Sequence, residues 1–230
     1  MKKLRILCLH GYHGSAKVLA RQMHLLQQHL EHVAEFIYVD APSLSHGDFG
    51  WWHAVEHSTQ KTGPGVGQAL VDYQGWATTY DWVLETFRTQ GPFDGVLGFS
   101  QGAALTALLV GLRAPDARPG AQFPLAFDFA IMIGGFLAND PVLQSLYESK
   151  SSFDLPSVHV IGRTDFVVPQ RFSYNVAALF TRPLVLEHDG GHVIDTAPRT
   201  CEQLVFFLEE RQRQKLALRD PTRRTLSVDH

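Results

Sequence analysis

Short apolar runs alternate along the chain with longer stretches whose apolar residues recur every three or four positions. The runs at 4–9, 35–39, 95–98, 127–133, 157–161 and 184–187 have the β-branched and aromatic content of strands buried on both faces. Between them, Leu19, Met23, Leu26 and Leu30 make one helical stripe, and Val66, Leu70, Tyr73, Ala77, Tyr80, Leu84 and Phe87 make a second. A helix over 103–112 follows the strand at 95–98, shorter helices follow Pro141 and Pro169, and a last one turns Cys201, Leu204, Val205 and Leu208 toward the core. Strands and helices in alternation predict an α/β fold, a mostly parallel sheet with helices on both faces.

Two segments break the alternation. Residues 42–65 are rich in Gly, Ser, His and Trp without sustained periodicity, and a loop of that length in a compact domain is usually functional. It is the expected substrate-covering loop. Residues 211–230 carry six Lys or Arg against two Asp and read as a flexible basic tail, which leaves residues 1–210 as a single domain.

Composition narrows the function. With 230 residues, 45% hydrophobic and 19% charged, the chain can bury one sizeable core. A net charge of −3 without a basic stripe argues against nucleic acid as a partner. The apolar run at 4–9 ends at His10 and Gly11, too short for a signal peptide, and no run approaches the roughly 18 residues of a membrane span. Cys8 and Cys201 both fall in apolar segments, as buried reduced thiols do, so a cytoplasmic location is expected.

The chemistry centres on Gly98-Phe99-Ser100-Gln101-Gly102, between an apolar strand and a helix. A nucleophile elbow needs this strand-to-helix turn, with small residues two before and two after the serine so that neighbouring backbones can approach. Its partners should follow in the order acid, then histidine. Gly162-Arg163-Thr164-Asp165 follows the next-to-last strand and His188-Asp189-Gly190-Gly191-His192 the last, both at carboxyl ends of strands, where open α/β sheets place ligands. Asp165 is the expected orienter and His192 the expected base, with Asp189 and Asp195 as rival acids and His188 as rival base. Oxyanion donors are expected from the backbone N–H of Gln101 and of Tyr12, the latter in the glycine-bearing loop after the first strand. Trp51 and Trp52, with Phe136, Val167 and Val168, are expected to wall an apolar substrate pocket.

Twelve histidines raise a metal hypothesis, but His53/His57 and His188/His192 lack the His-Glu-x-x-His pattern, and the second pair brackets a Gly-Gly turn. No metal site is expected. Gly63-Pro64-Gly65-Val66-Gly67 has no strand before it and reads as a loop hinge rather than a phosphate cradle.

The run Leu9-His10-Gly11-Tyr12, Trp51-Trp52, the stretch from Gly91 through Gly98-Phe99-Ser100-Gln101-Gly102-Ala103, Gly162-Arg163-Thr164-Asp165 and Gly191-His192 together resemble the FSH-type family of serine hydrolases over about residues 4 to 208. That family includes small eukaryotic hydrolases and fungal thioesterases of polyketide pathways. The resemblance implies an α/β-hydrolase fold, no cofactor, and hydrolysis of carboxylic esters or thioesters of acyl chains, free or carrier-bound, with nucleophile, acid and base at Ser100, Asp165 and His192. An acyltransferase would use the same acyl-enzyme, and a silent binding domain would not need the intact triad.

Overall fold

The computed structural model describes residues 2–42, 50–57, 70–113, 125–148 and 152–219. Six strands, β1 (Leu4–Leu9), β2 (Ala34–Val39), β5 (Gly95–Phe99), β6 (Phe129–Ile133), β7 (Ser157–Gly162) and β8 (Pro183–His188), form one sheet in the order β2-β1-β5-β6-β7-β8, every neighbouring pair parallel. The inner strands β5, β6 and β7 are buried at every residue, which is why their sequences are continuous apolar runs; the edge strands β2 and β8 are only partly covered.

Residues alternate between two cores. Ile6, Cys8, Leu97, Ile131 and Val158 face α1 (Ala16–Gln22), α2 (His24–Leu30) and α7 (Pro198–Arg219). Leu7, Leu9, Val96, Ala130 and Met132 face α3 (Trp76–Gln90), α4 (Gln101–Leu112), α5 (Pro141–Glu148) and α6 (Gln170–Ala177). The chain leaves β1 in one direction to reach β2 and returns on its other side as β5, so the carboxyl ends of β1 and β5 flank a topological switch point. The α/β-hydrolase architecture expected from the sequence is therefore present. No helix among the described residues is long and apolar enough to cross a membrane. Cys8 and Cys201 are both buried thiols.

Three local expectations are corrected. The second predicted helical stripe is broken: Leu70 and Tyr73 belong to strand β4 (Leu70–Gln74), and the helix starts only at Trp76. Val71 and Tyr73 are buried while Asp72 and Gln74 are exposed, the period of a strand, and Gly75 at φ 88° turns the chain into α3. The covering loop is partly regular as well, since β3 (His53–His57) pairs antiparallel with β4; residues 43–49 and 58–69, with the Gly63–Gly67 hinge, lie outside the described residues. His53 and His57 stand at the two ends of β3. Finally, α7 continues to Arg219, well into the expected tail, because Gln212 donates to the Lys2 carbonyl at 3.0 Å and the Lys215 ammonium pairs with Asp94. Residues 220–230 lie outside the described residues.

Candidate active site

Ser100 ends β5 and opens α4 at φ 56° and ψ −118°, a conformation that L residues adopt rarely and only where the surroundings enforce it. Its N–H donates to the Ile133 carbonyl on β6 at 2.9 Å, and its carbonyl accepts from Ala103 and Ala104 N–H at 2.9 and 3.0 Å. The flanking glycines are sterically required: a Cβ at Gly98 would run into the Gly102 carbonyl, and one at Gly102 into the Leu9 carbonyl. The serine is thus raised on a tight turn at the switch point.

Asp165 lies in the turn after β7, nearly inaccessible, where its Oδ1 accepts the N–H groups of Val167 and Val168 at 2.9 and 2.8 Å. Its Oδ2 lies 2.6 Å from His192 Nδ1. Facing a carboxylate, Nδ1 must carry the proton, which leaves Nε2 as the proton-accepting nitrogen. The His192 ring stacks on Phe99, the residue before Ser100, with centroids 4.8 Å apart. Gly134, at the end of β6 with φ 58°, makes room for this ring.

The rival groups are engaged elsewhere. Asp189 is almost wholly exposed and pairs with Arg163 at 3.0 Å. Asp195 accepts from Ala197 N–H at 3.3 Å and from the Thr200 hydroxyl at the start of α7. His188 Nδ1 accepts from Gly190 N–H at 3.2 Å, which shapes the turn before His192.

The loop after β1 runs against Ser100, for a Cβ at Gly11 would stand 3.2 Å from that of Ser100. It is braced by His10, a residue that sequence reasoning missed. His10 Nδ1–H donates to the Gly11 carbonyl at 2.8 Å and Nε2 accepts from Ala41 N–H at 3.0 Å, an arrangement that only the neutral ring satisfies. Burial lowers its pKa in the same sense. Tyr12 follows Gly11 directly, and its hydroxyl meets His53 Nδ1 at 3.1 Å.

An open cleft of about 580 Å³ includes Ser100, Gln101 and Tyr12 in its lining, together with four of the expected pocket residues, Trp52, Phe136, Val167 and Val168. Tyr73 and Phe172, which the sequence reading did not single out, add to the apolar lining, and Tyr73 stacks on Trp52 at 4.8 Å with planes 11° apart. Trp51 is a correction. It is fully buried outside the cleft lining, its indole N–H donating to the His10 carbonyl at 2.7 Å. The chain bends at Trp51, and of the two tryptophans Trp52 is the one that lines the cleft.

Comparison with known proteins identifies the family and the fold. The family model described as serine hydrolase (FSH1) matches residues 1–204. The chain is 31% identical to esterase CG5412 of Drosophila melanogaster over 228 residues, covering 94% of this chain and 77% of that protein. It is 32% identical to esterase OVCA2 of Mus musculus over 233 residues, covering 90% of this chain and 96% of that protein. Among solved structures, Zea mays acyl-protein thioesterase 2 shares the architecture with a TM-score of 0.57 at 21% identity, covering 90% of this chain and 95% of that one.

Proposed function

The chain belongs to the FSH1 family of serine hydrolases, and from that premise we propose that it cleaves carboxylic esters or thioesters of apolar acyl chains through an acyl-enzyme on Ser100. The observation that carries the reading is the Asp165–His192 pair, 2.6 Å apart and stacked through the imidazole on the residue that precedes a serine held at positive φ.

In the first half-reaction Ser100 Oγ attacks the acyl carbonyl carbon while His192 Nε2 takes the hydroxyl proton. Asp165 holds the ring in orientation and stabilises the imidazolium. The carbonyl oxygen gains negative charge and is met by the N–H groups of Tyr12 and Gln101, each such donor being worth about 3 kcal/mol in the transition state. Collapse of the tetrahedral species breaks the bond to the alcohol or thiol, which leaves with the proton from His192. Water then attacks the acyl-enzyme as His192 Nε2 takes its proton, and collapse of the second tetrahedral species breaks the bond to Ser100 Oγ, which recovers that proton from His192 as the carboxylic acid leaves.

The apolar lining of the cleft supports an acyl substrate, since each buried methylene contributes about 0.8 kcal/mol. The test is a panel of acyl esters and matched thioesters from acetyl to decanoyl, run with and without an added alcohol or amine. Release of free acid, with kcat/KM rising several-fold per two carbons until the cleft is full, is the expected result. Transfer to the added acceptor in preference to water would make the chain an acyltransferase, and a profile fastest on acetyl would remove the apolar-acyl assignment.

A further inference from the structure

The residue after the nucleophile serves the proposed mechanism with its backbone N–H alone, so that role places no demand on its side chain. The Gln101 side chain is nevertheless buried and uses both ends of its amide on adjacent residues. Its Oε1 accepts the Trp51 N–H at 3.0 Å and its Nε2 donates to the Trp52 carbonyl at 2.8 Å. Two other segments hold the same dipeptide: the Trp51 indole donates to the His10 carbonyl at 2.7 Å, and the Thr79 hydroxyl in the first turn of α3 donates to the Trp51 carbonyl. Among the described hydrogen bonds, Gln101 alone joins the nucleophile turn to Trp52. Trp52 in turn lines the cleft beside Ser100 and stacks on Tyr73 of the β3–β4 hairpin.

We propose that Gln101 is a positioning residue whose side-chain amide fixes the Trp51–Trp52 backbone to the nucleophile turn and so sets where the apolar wall stands relative to Ser100, making acyl-chain selectivity depend on it. The pairing requires one acceptor and one donor on a single rigid group. Glutamate supplies the acceptor for Trp51 but turns a second oxygen on the Trp52 carbonyl, and methionine supplies neither strong acceptor nor donor. Because the oxyanion donor and the clamp belong to one residue at the first position of α4, the wall and the reacting carbonyl share one frame of reference. A shift of the wall therefore changes how a long acyl chain seats more than how an acetyl group does.

The catalytic half of this proposal rests on the acyl-ester reading, and the structural half does not, so two readouts are needed. Amide hydrogen exchange of the intact enzyme reads the clamp directly: in Gln101→Met the Trp51 amide should exchange at least tenfold faster with α4 still protected, whereas Gln101→Glu should keep Trp51 protected. In steady-state kinetics both variants should lower the octanoyl-to-acetyl ratio of kcat/KM at least threefold, chiefly through the KM for octanoyl ester. Thr79→Val, which removes a different hold on the same dipeptide and leaves the Gln101 bonds in place, should lower that ratio less than Gln101→Met does. Unchanged Trp51 exchange in Gln101→Met overturns the clamp. Equal loss on acetyl and octanoyl esters in Gln101→Met overturns the selectivity role. A wild type without any chain-length rise, but with Trp51 exchange accelerated in Gln101→Met, removes the acyl reading while upholding the clamp.

Discussion

Gly134 and His192 meet closely: a Cβ at Gly134 would stand 3.0 Å from the imidazole Cε1 and 3.6 Å from Asp165 Oδ2, so the ring would have to give by a few tenths of an ångström. The same residue sits at φ 58°, where an L side chain is strained by about 1–2 kcal/mol. Gly134→Ala should therefore displace the ring from the serine while leaving its pairing partner in place. The expected outcome is a fall of up to about tenfold in kcat, below the roughly hundredfold scale of a 1 Å misplacement, with about 1–2 kcal/mol lost in stability from the strained φ. Steady-state kinetics beside a melting curve checks it, and a variant with normal kcat would show that the ring has freedom to relocate.

Ser100→Ala should abolish covalent labelling by a fluorophosphonate, read as one-to-one mass addition in the wild type and none in the variant. Asp165→Asn should keep the hydrogen-bonding shape but free the ring to take the wrong tautomer, with a loss on the order of 10⁴ in kcat. His192→Ala should be as severe. Since Asp189, Asp195 and His188 are each committed to other partners, none is expected to rescue these variants; near-normal turnover in either would hand the role to one of them.

The six strands could be read from the sequence because a parallel sheet buried on both faces writes itself as uninterrupted apolar runs, and the proposed elbow, acid and base could be nominated because each comes shortly after such a run. Where two periods overlap, the sequence misleads. Leu70, Tyr73 and Ala77 fit a helix, Val71 and Tyr73 fit a strand, and only Gly75 at φ 88° marks the boundary between them. The site residues that escaped notice are those whose role depends on distant partners. His10 looks like the end of a strand until Ala41 is seen donating to it, and the choice between Trp51 and Trp52 is made by His10, Thr79 and Gln101, none of them near in sequence.

The two tryptophans should separate cleanly under mutation. Trp51 fills the core beneath the site, its ring tilted against those of His10 and Trp82, so Trp51→Ala should cost about 3–5 kcal/mol of stability and depress turnover on all chain lengths alike. Trp52 is also buried but lines the cleft, so Trp52→Ala should weaken the preference for long over short acyl chains by several-fold beyond its effect on acetyl turnover. Chemical denaturation of both variants alongside the chain-length panel provides the comparison. Identical selectivity in Trp52→Ala and wild type would leave Trp52 as a structural cover.

Acid stability should expose His159, which lies on β7 with its Nε2 3.0 Å from the Ser157 hydroxyl and its ring edge-on to Phe180. Burial disfavours the imidazolium and lowers its pKa from 6.5 to about 3, and His10 is shifted in the same direction for the same reason. Between those two values the unfolded chain binds a proton at His159 that the folded protein excludes, so protons favour unfolding. The contribution is complete above pH 6.5 and is lost as pH falls toward 3, at about 1.4 kcal/mol per pH unit. From pH 7 to pH 4 that amounts to roughly 3 kcal/mol. His159→Gln keeps a polar group near Ser157 but cannot titrate. Although less stable at neutral pH, it should therefore lose less stability on acidification than the wild type by roughly that amount, measured by urea denaturation at each pH. Parallel losses in the two proteins would mean that His159 takes up its proton without unfolding, through water reaching the space beside Phe180.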